Sequence, residues 1–483
     1  MNQPDGDLRE SGIETQTLMT ARVRDVAMRE LIRIQADATL REAARAMRDH
    51  RAACALVEAG ADSGIITDSD LRDAMALDDI SPDGPVARVA HCPAVTIDSG
   101  AILLDGLIQM ERHGVERLLV TDQGKIFAVL EQADVLGHIA VHSNAILRIV
   151  SRADQPTDLK PAADALVRLI GALLRNGMKP DRVGRLASEV NRAIFARLFE
   201  MLVPKELQQD VCFIVMGSEG RREQILPTDQ DNALIVRDGL DVESIMPACC
   251  AITGALIELG YPRCPGNIMI SNPAWVLTQS QFRAQVLDWI ASNGNDDVMN
   301  LAIFFDAETV VGDEHLLKGV KAVLFETSSS SDAFYARFAS AINSFRIPIG
   351  VFSRLQIDRS GDRAGTLDIK KGGVFPIVHG IRALALQKKL TVTPTLDRIA
   401  ALVGMRVIDK PFAREVAEAF GFLCTLRAES GLAAVEAGGP ATNRLRPDEL
   451  TQIDQRALAE SLRIVVCLRR LVGQNFRLDL LGF

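Results

Sequence analysis

The sequence lacks several features that would place it outside the ordinary globular proteins. It has no extended Gly, Pro or Ser run and no single-sign charge run, and 48% of its 483 residues are hydrophobic, which excludes a largely disordered or collagenous chain. We find no stretch approaching the roughly 20 apolar residues of a membrane helix, and the polar, acidic N-terminus is unlike a signal peptide. We therefore expect a cytoplasmic protein with no membrane partner. Because domains usually run to roughly 100–200 residues, the length predicts three or four of them.

An excess of basic residues is also lacking. The chain has 54 Lys and Arg against 63 Asp and Glu, so its formal net charge is −9. Nucleic acids and anionic membranes favour clustered Lys and Arg, so the acidic balance argues against broad binding to nucleic acid. Binding of a single nucleotide remains compatible with it.

The cysteines lack the spacing of a metal site. There is no CxxC pair and no His at ligand spacing, which predicts buried free thiols rather than a zinc or redox centre. The eight cysteines are Cys54, Cys92, Cys212, Cys249, Cys250, Cys264, Cys424 and Cys467.

What the sequence does contain, after a polar tail at residues 1–20, is an internal repeat. A unit of about 60 residues with the pattern strand, helix, strand, strand, helix begins near Val23 and then recurs. Asp134 in the second copy stands 64 positions after Asp70 in the first. Two such units resemble a CBS pair across residues 21–140, and this module binds adenine nucleotides between its copies in many proteins.

The CBS resemblance implies candidate ligand contacts near the end of each copy. In nucleotide-binding members, residues in the places of Thr67 and Asp70 contact phosphate and ribose at a helix N-terminus, and Asp134 is the second copy's equivalent. The same T-x-x-D string is also an ordinary capping box, which leaves both interpretations open. Glu131 replaces the threonine in the second copy and would repel phosphate.

Residues 141–207 change to helical periodicity. Apolar residues recur at helical spacing on either side of a break at Asn176, Gly177 and Pro180. This pattern predicts a helical connector whose apolar stripes serve core or dimer packing. We expect a homodimer.

The motif that carries chemistry begins after an apolar strand predicted at residues 211–216. Gly217 and Ser218 form a tight turn whose backbone N–H groups can face a phosphate, and Gly220 allows close backbone approach. Asp229 and Asp231 follow at the start of the next strand, where residues two apart share a face. Together they predict an oxygen-rich pair suited to Mg²⁺.

A Gly-Ser turn followed about ten residues later by Asp-x-Asp resembles the nucleotidyltransferase superfamily, and the longer string resembles its CBS-containing members related to PII uridylyltransferases. The resemblance implies a mixed-sheet core at residues 208–330, a triphosphate on the Gly-Ser turn, and Mg²⁺ (or Mn²⁺) on Asp229 and Asp231. Arg221 is the favoured phosphate contact because the family string has Arg directly after Gly220. One of the two neighbouring arginines is expected instead to lie at the surface or to pair with Glu219 or Glu223.

Metal-assisted nucleotidyl transfer usually needs a third carboxylate. Asp306, which follows an apolar run, is the best candidate, although it could simply cap or end a strand. Glu308 stands where relatives have Arg, so a phosphate contact or salt bridge could be missing there. Asn267 lies in a C-P-G-N turn that only the resemblance marks as facing substrate.

Residues 335–483 read as mostly helical and match the family's helical substrate-binding domain. The polar candidates there are Asp368, Lys370, Lys371 and Arg382, although the KKGG string could be only a charged turn. The relatives' Arg-Leu-x-x-Gln string appears here as Arg427-Ala428-Glu429-Ser430-Gly431, so the Arg is kept, the Leu and Gln are not, and a family role is not carried over to Arg427. His379 has no partner of the kind nucleases or phosphohydrolases use, and we expect it in the core or at a helix end.

These patterns predict a multidomain α/β (α+β) protein: a tandem CBS pair, a helical connector, a mixed-sheet nucleotidyltransferase core and an all-helical C-terminal domain. The expected activity is Mg²⁺-dependent transfer of a nucleoside monophosphate from a nucleoside triphosphate to a hydroxyl of a small molecule or protein, such as a PII-like protein, under CBS control. The alternative is a nucleotide-sensing signalling protein without turnover.

Overall fold

The computed structural model describes residues 21–26, 28–50, 52–59, 62–76, 80–327, 332–350, 354–358 and 360–480. The predicted polar tail lies outside the described residues. The chain divides into two compact units, Met1–Ala145 and Ile146–Phe483. Helices and small mixed sheets alternate in it, which confirms the predicted α/β class.

The first unit has a duplicated topology. Its elements are β1 (Arg29–Glu30), β2 (Arg33–Gln35), α1 (Leu40–Asp49), β3 (Cys54–Ala59), β4 (Asp62–Thr67), α2 (Asp68–Ala76), β5 (Thr96–Asp98), α3 (Leu103–His113), β6 (Arg117–Asp122), β7 (Lys125–Glu131) and α4 (Gln132–Arg152), the last of which runs on past Ala145. In each copy a short strand pairs in parallel with the next strand, which then forms an antiparallel hairpin: β2, β3 and β4 in one sheet and β5, β6 and β7 in the other. The predicted repeat is therefore present in the strand order.

Apolar residues of the two copies meet in one cluster. Cys54 and Leu56 of β3 are buried together with Leu119 of β6 and Val129 of β7. Alternate residues of a strand face opposite sides. Ala55 and Val57 of β3 therefore face the other way and pack against the helices of their own copy. β3 is thus buried on both faces.

The first part of the second unit surrounds a four-stranded sheet. Its elements are α5 (Lys160–Arg175), α6 (Pro180–Leu202), β8 (Val211–Val215), α7 (Gly217–Gly220), β9 (Asn232–Val236), α8 (Met246–Leu259), β10 (Val276–Thr278), α9 (Gln279–Ala291), α10 (Asn295–Phe305), β11 (Glu308–Gly312) and α11 (Glu314–Thr327). The strand order is β10-β9-β8-β11, with only β10 and β9 parallel. Every residue of β8 and β9 is buried. Val215 pairs with Asn232, which brings the end of β8 beside the start of β9.

The helices expected as a connector pack on this sheet and its helices. α5 packs against α6, and α6 contacts α8 and β11. The apolar stripe of α6, including Val183, Val190 and Ile194, is buried. These helices therefore form part of the second unit's core.

One segment departs from the expectation that no stretch could span a membrane. Val242–Leu259 is long and apolar enough to do so by length and composition alone. In the structure its helical part, α8, buries Ile252, Leu256 and Leu259 and packs against α6. Of the segment, 44% is buried, and this buried face packs within the second unit.

The C-terminal part is helical apart from one short two-stranded ladder. Its elements are α12 (Asp332–Ser340), β12 (Leu367–Asp368), a π-helical turn (Lys370–Val374), α13 (Phe375–Gln387), α14 (Thr395–Gly404), α15 (Lys410–Glu436), β13 (Arg444–Leu445) and α16 (Gln452–Asn475). β12 and β13 pair antiparallel. A single hydrophobic core joins these helices to those around the four-stranded sheet, so the C-terminal helices are fixed against that sheet and its helices.

All eight cysteines are free thiols, as predicted. Cys92, Cys250 and Cys467 are exposed, so the expectation that the cysteines are buried is wrong for these three.

Candidate active site

The candidate site begins at the turn after β8. Gly217 has φ +55°, and a Cβ placed on it would lie 2.5 Å from Oδ2 of Asp231. The backbone N–H of Met216 donates to the carbonyl of Asp231 at 2.8 Å. Glycine is therefore required at this turn both by its left-handed backbone and by the close carboxylate. The structure brings the two halves of the motif together.

The two aspartates of the motif lie just before β9 and interact electrostatically. Burial, together with the negative charge of Asp229, raises the pKa of Asp231 to about 6. The thiol of Cys264 forms a hydrogen bond with Asp231. The two carboxylates repel each other, and a divalent cation bound to their oxygens would offset that repulsion.

Lys370 completes this group from the C-terminal part of the chain. Its Nζ donates to Oδ2 of Asp229 at 2.9 Å, across 141 positions of sequence. Although burial alone would raise it, the charge and hydrogen bond of Lys370 lower the pKa of Asp229 below its ordinary value. The predicted substrate residue Lys370 is therefore part of the Asp-x-Asp site itself.

The intervening residues of the D-Q-D-N string anchor the site from behind. Gln230 Nε2 donates to the carbonyl of Tyr261 at 3.0 Å, and Asn232 Oδ1 accepts from the N–H of Ile270 at 2.9 Å. Both amides are buried. The alternation of acids and amides in the D-Q-D-N string could have indicated that the amides anchor the site while the acids form it. The role of Gln230 and Asn232 was not predicted.

Ser218 links the turn to the aspartates through a buried amide. Its Oγ donates to Oε1 of Gln224 at 3.0 Å, and Nε2 of Gln224 donates to the carbonyl of Asp229 at 3.0 Å. Gln224 is 4% exposed. The predicted phosphate turn and the predicted metal pair are thus held by one hydrogen-bonded chain.

Glu219 fixes the same turn to α6. Its carboxylate accepts from Ser188 Oγ at 2.8 Å and from Asn191 Nδ2 at 3.0 Å. Tyr261 donates its hydroxyl hydrogen to Oδ1 of Asn191 at 2.6 Å. Burial raises the pKa of Glu219 above its ordinary value. This network was not predicted, because its partners lie on separate elements.

Asp306 does not have the surroundings of a third metal-binding acid, and that prediction requires correction. Its carboxylate is 0% exposed and pairs with Arg221 at 2.6 Å, Arg398 at 2.7 Å and Arg382. Although burial raises it, the charges of Arg382, Arg398 and Arg221 hold the pKa of Asp306 well below its usual range. A carboxylate occupied by three guanidinium groups has no free oxygen for a metal ion.

Arg221 was predicted to contact phosphate and Arg382 to contact substrate. Both predictions require correction, because both side chains pair with Asp306. Arg221 is buried and also donates to Glu223 at 2.7 Å, while Arg382 is 3% exposed. Gly220 has its predicted close approach, but to the chain: a Cβ there would lie 2.1 Å from the carbonyl oxygen of Asp306. This region is a buried structural centre.

The other predicted substrate residues have no hydrogen bond or ion pair to Asp229 or Asp231 among the described residues. Asn267 is an exposed turn residue with φ +52°. Asp368 accepts from the backbone N–H of Lys371 at 2.9 Å, and the Lys371 ammonium lies 5.3 Å from the centre of the Phe345 ring. Of the predicted C-terminal candidates, Lys370 is the one hydrogen-bonded to the Asp-x-Asp segment.

Glu308, which stands where relatives have Arg, is neutralised by neighbouring arginines. It lies 3.4 Å from both Arg192 and Arg222 and accepts from Thr393 Oγ1 at 3.2 Å. Glu308 therefore takes part in salt bridges of its own. His379 is buried and hydrogen-bonded to the carbonyl of Phe338, which confirms it as a core histidine; burial lowers its pKa to about 3.

Within the described ranges, no cluster of three or more His, Cys, Asp or Glu side chains could hold a metal ion. A divalent cation held by Asp229 and Asp231 would need water or nucleotide oxygens as its remaining ligands.

The predicted ligand residues of the first unit form a capping box at the start of α2. Oδ2 of Asp70 accepts from the N–H of Thr67 at 2.8 Å and from its hydroxyl at 2.7 Å. Oδ1 of Asp70 lies 3.1 Å from Nε2 of His91. Both alternatives remain compatible with this geometry, since Asp70 is only partly buried.

The second copy repeats the cap in a weaker form. Asp134 Oδ2 accepts from the N–H of Glu131 at 3.3 Å. Glu131 itself pairs with Arg117 at 3.1 Å and with Arg29 at 3.2 Å. Its charge is therefore balanced inside the protein.

Family models match three regions of the chain. They are "CBS domain" at residues 23–77, "Putative nucleotidyltransferase DUF294" at residues 164–296 and "Putative nucleotidyltransferase substrate binding domain" at residues 332–476. These matches confirm the predicted family architecture: a CBS domain, a DUF294 nucleotidyltransferase domain and its C-terminal substrate-binding domain. The nucleotidyltransferase match includes α5 from residue 164 onward, together with α6.

Solved structures resemble a quarter of the chain. An uncharacterised conserved protein from Pyrococcus horikoshii is 23% identical, with 25% of this chain and 92% of that chain covered and a TM-score of 0.23. A CBS domain protein from Pyrobaculum aerophilum complexed with AMP is 21% identical, with 25% and 98% covered and a TM-score of 0.23. The CBS domain of a bacterial CNNM/CorC family Mg²⁺ transporter in complex with ATP is 23% identical, with 27% and 96% covered and a TM-score of 0.24. No curated protein matches the chain.

Proposed function

We propose that the second unit transfers a nucleoside monophosphate from a nucleoside triphosphate to a hydroxyl group, with the CBS pair as its regulatory element. The observation that supports this most directly is the contact of the Gly217 turn with Asp231, beside the ion pair of Asp229 and Lys370. The turn proposed to bind phosphate therefore lies beside a lysine and two carboxylates of the kind that bind divalent cations.

Asp229 and Asp231 would hold Mg²⁺ or Mn²⁺. Their hard oxygens fit such ions, and their mutual repulsion leaves a site that a divalent cation would stabilise. The bound ion would supply Lewis-acid polarisation and charge neutralisation at the phosphates.

The chain's own residues would bind and orient the reactants. Backbone N–H groups of Gly217 and Ser218 are suited to phosphate oxygens. Gln224 keeps Ser218 and Asp229 at a fixed separation, so the triphosphate and the aspartates are positioned together. The Lys370 ammonium supplies a positive charge from the C-terminal domain. An acceptor hydroxyl would attack the α-phosphorus, and pyrophosphate would leave.

Transfer assays test this proposal. The protein is incubated with Mg²⁺, each labelled nucleoside triphosphate and candidate acceptors including a PII-like protein, beside Asp229→Ala/Asp231→Ala. The exposed pair Asp238 and Asp241 gives a matched control, Asp238→Ala/Asp241→Ala. We expect transfer or pyrophosphate release that only the first variant abolishes. Equal activity in both variants would contradict the proposal.

A second candidate is a nucleotide-sensing protein without turnover. It is favoured by the burial of Asp306 among three arginines, which removes the expected third acid. Nucleotide binding without transfer, across every nucleotide and acceptor, would select this candidate.

For the first unit we propose an adenine nucleotide ligand, with Thr67, Asp70 and Asp134 as candidate contacts. The CBS family match at residues 23–77 and the duplicated topology support this proposal. Homodimer formation, a PII-like acceptor and a cytoplasmic location remain expectations from the sequence.

A further inference from the structure

A pocket lies beside the Asp-x-Asp segment on the side of the C-terminal domain. It is bounded by the loop Ile225–Thr228, by α15 and by residues 441–443. Thr228 directly precedes Asp229, so the pocket adjoins the proposed metal pair. The transferase domain forms one wall and the substrate-binding domain forms the other.

Arg427 of α15 is the cationic group of this pocket. Its Nε donates to Oδ1 of Asn443 at 2.7 Å, which fixes the plane of the guanidinium. Among the residues that the structure describes, the two terminal nitrogens of Arg427 have no hydrogen-bond partner and no ion pair. Four N–H bonds of this partly buried guanidinium, whose residue lines the pocket, are therefore available to a ligand.

Among the described residues, no carboxylate contacts the Arg427 guanidinium. Burial lowers the pKa of Arg427, and Asp229 and Glu223 act on it only at a distance. Arg221, in contrast, lies nearby with both Asp306 and Glu223 in contact. Arg427 is thus a partly buried cation without a contacting anion, and an oxyanion that enters the pocket would form charge-assisted hydrogen bonds with it.

Small side chains create the space in front of Arg427. Ala428 and Gly431 line the pocket one turn apart on the same helix. A Cβ on Gly431 would lie 3.0 Å from Cδ1 of Leu226 across the pocket. A larger residue at 431 would therefore fill the space.

The backbone connects this pocket to Lys370. Asn443, which orients Arg427, also accepts at its carbonyl from the N–H of Ile369 at 3.1 Å. Lys370, the next residue, donates to Asp229. Arg427 and Lys370 are thus presented by one hydrogen-bonded segment, beside the same carboxylate.

We propose that the pocket binds an oxyanion, phosphate or carboxylate, of a reactant of the transferase site, with the Arg427 fork as its donor and Asn443 as its orienting partner. The identification of that oxyanion as part of a reactant rests on the proposed function. The planar fork matches phosphate and carboxylate oxygens in pairs, which a lysine could not reproduce. The anion comes either from the nucleoside triphosphate or from the acceptor.

Binding titrations without metal test the pocket separately from turnover. The probes are inorganic pyrophosphate, a nucleoside triphosphate and succinate, titrated calorimetrically into the full chain. Arg427→Met removes the fork, Arg427→Lys keeps the charge without it, and Gly431→Leu fills the space. Arg414→Met, at an exposed arginine on the same helix, is the matched control. Thermal unfolding verifies that each variant is folded.

We expect all three pocket variants to lose about tenfold in affinity for at least one probe, while Arg414→Met loses none. Loss for pyrophosphate and nucleoside triphosphate would identify the nucleotide as the source of the anion. Loss for succinate alone would identify a carboxylate of the acceptor. The proposal is overturned if no probe binds the natural protein, if Arg427→Met leaves every affinity unchanged, or if Arg414→Met has the same effect. Asp229→Ala/Asp231→Ala should retain this metal-free binding. A negative transfer assay would therefore refute the proposed activity without refuting anion binding in the pocket.

Discussion

The Lys370 ammonium lies 2.9 Å from Oδ2 of Asp229 and joins the C-terminal domain to the Asp-x-Asp segment. In the proposed enzyme this ion pair has two effects. It places a positive charge at the nucleotide site, and it competes with a divalent cation for one carboxylate oxygen. The second effect can be measured without substrate.

Lys370→Met should therefore increase the affinity for Mn²⁺ by a few-fold, because no ammonium has to leave Oδ2 when the ion binds. Mn²⁺ binding followed by electron paramagnetic resonance gives the dissociation constant directly. Lys371→Met is the control, since that lysine contacts Phe345 instead. Unchanged Mn²⁺ affinity in Lys370→Met would show that the ion does not bind at this oxygen.

The pH dependence of metal binding should follow Asp231. Its pKa is raised to about 6, so the carboxyl is neutral below that pH and charged above it. Metal affinity should accordingly rise with pH, by about tenfold between pH 5 and pH 7, because protons compete for the carboxylate below its pKa. Calorimetric titrations with Mn²⁺ across this range provide the measurement. Asp231→Asn should bind weakly at every pH, and a flat profile in the natural protein would contradict the assignment.

Local patterns were sufficient to predict the turn, the strands and the aspartate pair. Gly217 and Asp231 are 14 positions apart and lie just after β8 and just before β9, and the strong apolar signals of these two strands determine their pairing. The CBS repeat was visible for the same reason, since each copy carries its own periodicity. Elements of this kind depend on contacts that are close in sequence.

The ion pairs around Asp306 could not be predicted in this way. Arg221, Arg382 and Arg398 come from three elements, and Asp306 is 85, 76 and 92 positions from them. A buried carboxylate among arginines and a metal-binding carboxylate have the same local sequence signature. What distinguishes them is the set of charges that tertiary packing brings to the site. The ion pair of Lys370 with Asp229 could not be predicted for the same reason, since only tertiary packing brings these residues together.

The Gly-Ser turn should be intolerant of any side chain at its glycine. Gly217→Ala adds a Cβ that would lie 2.5 Å from Asp231 Oδ2, and it also forces a left-handed backbone at a cost of about 1–3 kcal/mol. We expect loss of metal and nucleotide binding in calorimetric titrations. Gly239→Ala is the control, because Gly239 has φ +94° with nothing within 4 Å of the added atom. It should lose stability without losing binding, and equal binding losses in both variants would refute the role of the contact.

The CBS proposal predicts that AMP stabilises the protein through Asp70. At 100 times its dissociation constant a ligand adds about 2.7 kcal/mol to stability, which a thermal shift detects readily. Asp70→Ala removes the cap of α2, so its own melting temperature should fall, and the further rise with AMP should disappear. Asp73→Ala, at an exposed residue of the same helix, should keep the rise. A rise of equal size in Asp70→Ala would place the ligand elsewhere.

Asp306 should affect stability rather than chemistry. Asp306→Asn removes the carboxylate that contacts Arg221, Arg382 and Arg398. Arg221 keeps its pair with Glu223, but the buried Arg382 and Arg398 lose their counter-charge. We expect a loss of about 3–5 kcal/mol in the free energy of unfolding, measured in urea. Asp313→Asn, which breaks a pair with the exposed Arg237, should cost less than about 1 kcal/mol. If Asp306→Asn is as stable as the natural protein but inactive in transfer, the carboxylate acts in catalysis after all.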